Sequence, residues 1–338
     1  MTHALVVFSG GLDSILAVKI LEEQNIKVTG VSFSSYFFDT KQAEKVAKQL
    51  GINLIIKNIA EAQLGTVKNP QYGHGSALNP CIDCHGLMFK IAGDLAELAG
   101  ADKKFDLIAT GEVLGQRSFS QNKDALKKVE KLTGRDILRP LSAKLLPKTS
   151  YEKQGLIDRE KLLDISGKSR RRQLELVKKY QVKYFPSPAG GCRLTENEFG
   201  RKVKQLLEND GQERKLNKVD FKLLRMGRHY WLQQNIKHKM SIQELSTKDW
   251  QDPRTHVVLG KNYEENEQLK KSARSGDILI ELKTVMGPTA LVFGNTKNNL
   301  VKDKQLLNKV KKLILNRTKS KDENIENVEW IVSPKSKS

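Results

Sequence analysis

Two short motifs in this sequence of 338 residues combine glycine, hydroxyl, carboxyl and thiol groups. The first, Ser9-Gly10-Gly11-Leu12-Asp13-Ser14, follows an apolar run. Two glycines let a backbone approach a phosphate closely, and the first N–H groups of a following helix point at the anion. Ser9 and Ser14 can add hydroxyl donors, while Asp13 either caps the helix or helps to hold a magnesium ion. The hexapeptide therefore predicts a nucleotide phosphate site.

The second motif contains the cysteines Cys81 and Cys84, and the chain has one more cysteine, Cys192, far along the sequence. All three stand in polar segments marked by glycine or proline. Four interpretations are open: inert buried thiols, a zinc site with His85 as the fourth ligand, a redox pair that carries sulfur as a persulfide, and a [4Fe-4S] cluster held by three thiolates. The pattern favours the cluster, because it uses every thiol and leaves its fourth iron open to another ligand.

Short apolar runs alternate with helical patterns in the first half of the chain, and these elements must position both motifs. Strands are predicted at residues 4–8, 28–33, 54–56 and 107–109, with helices at 12–21 and 42–50. This alternation predicts an α/β fold with a doubly wound parallel sheet, which binds ligands at the carboxyl ends of its strands. Residues 60–80 show no clear period, and we expect a functional or mobile loop there.

Beyond about residue 200 the pattern changes. Short β-like runs stand at residues 257–259, 278–280 and 290–293, and apolar residues between 306 and 314 form one stripe of a helix. We expect a catalytic domain over residues 1–200 and a separate, smaller α+β domain over 201–338, whose last fifteen or so residues are largely a tail.

Charge is unevenly distributed along the chain. Lys and Arg total 59 against 39 Asp and Glu, a net charge of +20, and residues 1–150 hold only 19 basic and 15 acidic side chains. The excess in the second half predicts a face that binds polyanions. Residues 167–183 hold seven basic residues and one acidic residue, which predicts a helix with a cationic face. The side chains expected to hold nucleic-acid phosphates are Arg170, Arg171, Arg172, Lys178 and Lys179.

Several classes of protein are excluded by the same sequence. No apolar run approaches the roughly 18–20 residues that a membrane helix needs. The N-terminus lacks the basic and apolar pattern of a secretory signal, and three cysteines suit a reducing compartment better than a disulfide framework. We therefore expect a soluble cytoplasmic protein.

The hexapeptide at the end of an N-terminal strand resembles the signature of the PP-loop ATP pyrophosphatase family. That resemblance implies that residues 9–14 bind ATP, with Mg²⁺, and that ATP is cleaved to AMP and pyrophosphate, usually by adenylating an oxygen that a nucleophile then replaces. It also implies that the backbone near Ser32 and Phe33 holds the adenine and that Gly111 lies close to the nucleotide.

Within that family, an Asn-Pro-Cys-X-X-Cys motif (residues 79–84) followed by a lone cysteine is similar to the tRNA thiolation enzymes. Residues 110–116, with Ser120 and Gln121 after them, resemble a segment of the 4-thiouridine synthetases, although we expect the N-terminal RNA-binding module of those enzymes to be absent. Residues 220–300 resemble the RNA-binding domain of NFACT-type ribosome quality-control proteins, which contact tRNA. In one group of thiolation enzymes three cysteines hold a [4Fe-4S] cluster, and in another two cysteines act through a persulfide.

These resemblances imply ATP-dependent replacement of a uridine carbonyl oxygen in tRNA by sulfur, with 4-thiouridine slightly favoured over 2-thiouridine. The sulfur donor would be sulfide or a persulfide carrier, and the expected catalytic residues are Asp13, Cys81, Cys84 and Cys192. Two other functions stay open. One is a PP-loop ligase acting on a small molecule, and the other is a non-catalytic RNA-binding protein that keeps ATP or the cluster as a structural or redox cofactor.

Overall fold

The structure is a computed structural model that describes residues 1–98, 105–186, 192–209, 215–233, 254–283, 285–293, 304–318 and 328–334. The chain divides into two compact units, Met1–Gly200 and Arg201–Ser338. Each unit contains its own β-sheet.

The sheet of the N-terminal unit has four parallel strands. They are β1 (His3–Val7), β2 (Lys27–Ser34), β3 (Asn53–Asn58) and β4 (Leu107–Thr110), in the spatial order β3-β2-β1-β4. From β1 the chain runs outward to β2 and β3, and then returns to place β4 on the other side of β1. The reversal puts a switch point at the carboxyl ends of β1 and β4, where ligands bind in such sheets. The predicted parallel α/β fold is confirmed.

Helices cover both faces of this sheet. They are α1 (Leu12–Glu22), α2 (Lys41–Leu50), α3 (Ala60–Lys68), α4 (Cys81–Leu98), α5 (Lys123–Thr133), α6 (Ser150–Lys153) and α7 (Arg171–Lys179). Because successive strand residues point to opposite faces, Ala4 and Val6 of β1 pack in one core with α1 and α2, whereas Leu5 packs in the other core with α4 and α5.

The predicted aperiodic loop at residues 60–80 is wrong in its first half, where α3 forms. Leu64 and Val67 lie on the buried face of this helix together with Gln63, which is only 1% exposed. A polar residue on the buried face, with Gly65 and Thr66 next to it, interrupts the apolar period by which an amphipathic helix is recognised.

The C-terminal unit is built on an antiparallel five-stranded sheet in the order β5-β6-β8-β7-β9. Its strands are β5 (Arg228–Gln233), β6 (Arg254–Leu259), β7 (Ile278–Leu282), β8 (Ala290–Val292) and β9 (Trp330–Pro334). Its helices are α9 (Lys218–Leu223), α10 (Tyr263–Ser272) and α11 (Lys304–Leu315), and α8 (Asn197–Asn209) contains the boundary between the units in the sequence. Leu306, Val310 and Ile314 of α11 pack on one face of the sheet, and Leu269 of α10 packs on the other.

The prediction that the last fifteen residues form a tail is wrong for residues 328–334. Strand β9 pairs with β7 in antiparallel register, with Trp330 opposite Leu282 and Val332 opposite Ile280. Without β9, β7 would expose a row of unpaired backbone groups. None of the helices in the described part of the chain is long and apolar enough to cross a membrane.

Candidate active site

The glycine-rich hexapeptide forms the turn between β1 and α1. Gly10 has φ +71°, and a Cβ atom there would lie 2.8 Å from the Ala43 Cα atom, so the position requires glycine. Gly11 is the N-cap of α1, and its N–H group donates to the Ser9 Oγ atom at 3.2 Å. The N–H groups in the first turn of an α-helix have no partner within the helix. The loop between β1 and α1 therefore presents several N–H donors at the carboxyl edge of the sheet. Such an arrangement binds a phosphate.

The two side chains that follow in the motif offer different groups. The Ser14 hydroxyl donates to the Gly11 carbonyl at 2.8 Å, so its hydrogen is used within the loop. Asp13 accepts through Oδ2 from the Gln116 Nε2 atom at 2.6 Å, whereas its Oδ1 atom is buried and has no hydrogen-bond partner among the described residues. Mg²⁺ prefers oxygen ligands and is often bound by one or two carboxylates, so this Oδ1 atom suits it.

Gly111, at the end of β4, lies against the same loop. A Cβ atom at this position would come within 2.4 Å of the Ser14 backbone nitrogen and 2.5 Å of the Asp13 carbonyl carbon. The fold therefore brings the ends of β1 and β4 together, with glycine required at the contact.

Ser32 and Phe33 lie near the carboxyl end of β2, and both are buried. The Phe33 side chain packs in the core beneath α4. Their role toward adenine, through the backbone, stays a prediction.

The three cysteines come from two parts of the chain. Cys81 is the first residue of α4 and Cys84 lies in the next turn, whereas Cys192 stands immediately before a 3-10 turn at Arg193–Thr195. The thiols lie close enough for their charges to interact. Burial raises the pKa of Cys84 to about 12 and that of Cys192 to about 11, and the charge of Cys81 adds to both shifts. As free thiols these groups are protonated at neutral pH, and binding of a metal would displace their protons.

Two amide side chains donate hydrogen bonds to these thiols. Asn79 Nδ2 donates to the Cys81 Sγ atom at 3.2 Å, and Gln63 Nε2 donates to the Cys84 Sγ atom at 3.5 Å. In the part of the chain that the structure describes, no three His, Cys, Asp or Glu side chains surround a position for one metal ion. The [4Fe-4S] cluster that the sequence predicts at these three thiols stays a prediction.

His85, which sequence reasoning considered as a zinc ligand, has a different partner. Its Nδ1 atom lies 2.6 Å from the Glu112 Oε1 atom, and Glu112 Oε2 accepts from Arg139 Nε at 3.0 Å. Burial alone raises the pKa of Glu112, but Arg139 and His85 outweigh it and hold the pKa below its ordinary value. Glu112 follows Gly111, and His85 follows Cys84. A row of contacts and sequence neighbours therefore runs from the phosphate loop, through Glu112 and His85, to Cys84.

Sequence reasoning did not assign roles to Glu112, Arg139, Gln116 or Gln173. A signal was present for the first two, because each is a charged residue within an otherwise apolar stretch. No such signal marks Gln173, since it stands among the charged residues of α7 and its complete burial follows only from the packing of that helix.

The predicted cationic helix is α7, with Arg170 as its N-cap. Arg170 is half-buried and the other four predicted phosphate-binding side chains are exposed. Three of the five make surface ion pairs: Arg171 with Glu175, Arg172 with Asp164, and Lys179 with Glu23. Exposed ion pairs contribute at most about 1 kcal/mol, so phosphate groups can compete for these cations.

The comparisons with known proteins concern the N-terminal unit. Residues 2–136 match the family model described as the tRNA methyl transferase HUP domain. The chain is 33% identical over 120 residues to the tRNA-specific 2-thiouridylase MnmA of Treponema denticola, a match that covers 32% of each chain. It is 28% identical over 150 residues to a probable tRNA sulfurtransferase of Finegoldia magna, covering 42% of this chain and 36% of the relative.

Among solved structures, this protein is similar to a 4-thiouridine synthetase in complex with RNA and ATP. The sequence identity is 26% and the TM-score 0.35, with 46% of this chain and 39% of that chain covered. The chain thus spans about a third of the length of the curated relatives that it matches. Residues 2–136 are thus similar to the HUP domain of the tRNA methyl transferase type, in a match that covers less than half of the chain.

Proposed function

We propose that this protein is an ATP-dependent tRNA sulfurtransferase, which activates a uridine carbonyl oxygen with ATP and replaces it with sulfur. The observation that carries the proposal is the connection between the phosphate loop and the thiols. Gly111 lies against Ser14, Glu112 bonds to His85, and His85 adjoins Cys84. Activation of an oxygen and delivery of sulfur must occur at the same carbon atom, so the two chemistries have to share one site.

ATP is proposed to bind with its phosphates on the loop at residues 9–14 and Mg²⁺ on the Asp13 carboxylate. A carbonyl oxygen is a poor leaving group. Its attack on the α-phosphate of ATP expels pyrophosphate and makes the oxygen part of an AMP group, which can then leave. The N–H groups of α1 would neutralise the charge that develops on the phosphates. The Asp13 Oδ1 atom would hold the cation, while Gln116 donates a hydrogen bond to the other carboxylate oxygen.

Cys81, Cys84 and Cys192 would hold a [4Fe-4S] cluster, whose chemistry is to supply sulfur at an iron position that no cysteine occupies. The chain itself would bind the cluster and shield it. Asn79 and Gln63 donate hydrogen bonds to two of the sulfur atoms, which favours their thiolate forms.

We propose that tRNA binds along α7, with its phosphates on the five basic side chains of that segment, and that the C-terminal unit adds a second RNA contact. The target uridine has to leave the base stack to reach both ATP and the thiols. Of the two carbonyl groups we favour position 4, because residues 110–116 with Ser120 and Gln121 resemble the 4-thiouridine synthetases. The matched relatives include one named tRNA-specific 2-thiouridylase and one named probable tRNA sulfurtransferase.

The activity test uses protein purified without oxygen, a tRNA transcript, MgATP and sulfide. We expect 4-thiouridine in the digested tRNA, together with AMP and pyrophosphate, and loss of the product with C192A while ATP binding survives. Formation of 2-thiouridine instead would assign the reaction to the carbonyl at position 2. AMP release that tRNA does not affect would favour a small-molecule ligase, and RNA binding without AMP release would favour a non-catalytic role.

The metal content decides among the routes for sulfur. About four iron atoms and a matching amount of acid-labile sulfide per chain are expected, with both lost from C81A, C84A and C192A. Stoichiometric zinc would assign the cysteines a structural role. A protein with neither metal that still thiolates tRNA would point to a persulfide on Cys192.

A further inference from the structure

A row of hydrogen-bonded side chains joins the basic helix α7 to the phosphate loop. Gln173 of α7 is fully buried and donates from Nε2 to the Gln116 Oε1 atom at 3.2 Å. Gln116 donates in turn from Nε2 to the Asp13 Oδ2 atom at 2.6 Å. A carboxylate only accepts hydrogen bonds, so Gln116 must point its nitrogen at Asp13 and its oxygen at Gln173. The orientation of the middle side chain is therefore set from both ends.

The backbone links the same two elements. The Gly167 N–H group, four residues before α7, donates to the Leu114 carbonyl at 2.7 Å. The Ser142 hydroxyl accepts from the Leu114 N–H group at 2.9 Å and donates to the Ile165 carbonyl at 2.6 Å. The segment that leads into α7 is thus bonded to the loop that carries Gln116, and a displacement of one shifts the other.

Stability does not account for this row of side chains. The Gln173 Oε1 and Asp13 Oδ1 atoms are both buried without a hydrogen-bond partner within the described ranges. A buried glutamine with an unsatisfied carbonyl costs free energy that a leucine of similar size would avoid. The row is better explained by a role at the ligand site to which its last member, Asp13, belongs.

We propose that Gln116 and Gln173 are positioning residues that couple RNA binding on α7 to nucleotide binding on the phosphate loop. RNA phosphates on α7 hold that helix in place, and through the two glutamines they hold the Asp13 carboxylate with Oδ1 presented to Mg²⁺. This inference rests on the proposed function, because it takes ATP at the loop and RNA at α7. Coupling between two binding sites is reciprocal, so each ligand binds more tightly when the other is present.

The test measures the dissociation constant of α,β-methylene-ATP with Mg²⁺ by calorimetry, with and without a saturating tRNA transcript. For the wild-type protein we expect RNA to tighten nucleotide binding about fivefold or more. In Q173L each ligand still binds alone, but the ratio of the two dissociation constants falls to about one. Q116L loses the same ratio and also weakens Mg²⁺-dependent binding. The matched control is Q49L, which removes a glutamine hydrogen bond to the Tyr184 carbonyl outside the row and should leave the ratio unchanged.

The ratio is the informative readout, because a merely structural defect lowers both affinities without changing their dependence on each other. A wild-type protein that binds both ligands independently would overturn the coupling and leave the proposed function standing. Coupling that persists in both Q173L and Q116L would also overturn it. Failure of the wild-type protein to bind nucleotide or RNA would instead overturn the proposed function. If Q173L does not fold, as judged by circular dichroism, Q116L decides, because Gln116 is only half-buried.

Discussion

Gly111 is required by a steric contact, since its φ is not among the positive values found at other glycines of the described chain. In G111A the new methyl group would meet the Ser14 nitrogen and the Asp13 carbonyl, which are backbone atoms that cannot rotate away. We expect this substitution to displace the phosphate loop and to weaken nucleotide binding at least tenfold, measured by calorimetry. Gly65 in α3 is the matched control, because a Cβ atom there meets nothing within 4 Å. G65A should bind nucleotide normally and gain about 0.5–1 kcal/mol of stability.

Asp13 is expected to act through Mg²⁺. D13N keeps the shape of the side chain and removes its charge, so the buried Oδ1 position no longer attracts a divalent cation. We expect AMP formation to fall about 100-fold, which corresponds to about 2.7 kcal/mol in the barrier. The nucleotide affinity measured without Mg²⁺ should stay close to that of the wild-type protein. An unchanged Mg²⁺ dependence in D13N would contradict this assignment.

Glu112 is expected to stabilise the site by neutralising the buried charge of Arg139. Among the described residues, E112Q leaves the guanidinium of Arg139, which is 2% exposed, with a single ion pair, to Glu130. We expect a loss of about 3 kcal/mol in the free energy of unfolding, measured in urea. E160Q is the control, because Glu160 pairs with Lys144 at the exposed surface and should change stability by less than about 1 kcal/mol.

The acid dependence of the Glu112 contribution follows from the direction of its pKa shift. The folded pKa lies below the ordinary value of 4.5, so the stabilisation is fully present at neutral pH and is lost as the pH falls through that lower value. Below pH 4.5, the free energy of unfolding of E112Q should therefore fall less steeply with decreasing pH than that of the wild-type protein. Equal slopes would mean that Glu112 is not held ionised by its partners.

At the scale of elements, α7 is expected to bind RNA through charge. Each cation that contacts a phosphate contributes about 0.7–0.9 to the slope of log affinity against log salt concentration. The double variant R171Q/K178Q should lower that slope by about 1.5 while it leaves nucleotide affinity unchanged. The control K123Q removes an exposed lysine from the start of α5, and the slope should not move. A slope that stays the same in R171Q/K178Q would place the RNA elsewhere.

The sequence predicted the elements whose apolar residues repeat with the period of the element they form, in both units. It predicted all four strands of the parallel sheet and the cationic helix, within a few residues of the bounds in the structure. Two of the elements that it did not predict, α3 and β9, lack such a period. In α3 a glutamine occupies the buried face, and β9 is a short strand whose partner, β7, lies about fifty residues earlier in the chain.

The two units should respond differently to acid. In the C-terminal unit His256 lies between the rings of Trp231 and Phe293, with centroid distances of 4.3 and 4.5 Å, and its Nε2 atom is 2.9 Å from the His229 Nδ1 atom. Burial, with a further contribution from His256, lowers the pKa of His229 well below 6.5. Below about pH 6.5 this histidine is protonated in the unfolded chain and neutral in the folded chain. The free energy of unfolding therefore falls as the pH drops below about 6.5.

This prediction can be measured by tryptophan fluorescence, because all three tryptophans of the sequence lie in residues 201–338. The urea midpoint of the fluorescence transition should fall between pH 7 and pH 5.5. H229N, which is neutral at every pH, should show a smaller fall, and H74N in the N-terminal unit serves as the control. A midpoint that does not change over this range would show that His229 does not control the stability of the unit.

Four features follow from residue types and order alone: the phosphate-loop motif, the parallel α/β fold, the inventory of thiols and the excess of positive charge. Each of these depends on residue types and on spacing within a short stretch, where local geometry follows directly from the order of residues. Three contacts appear only in the folded chain: Cys192 approaches Cys81 and Cys84, Glu112 joins His85 to Arg139, and a buried glutamine of α7 reaches the loop. These contacts connect residues far apart in the chain, and they form because packing on the two faces of one sheet brings the ends of its strands and helices together.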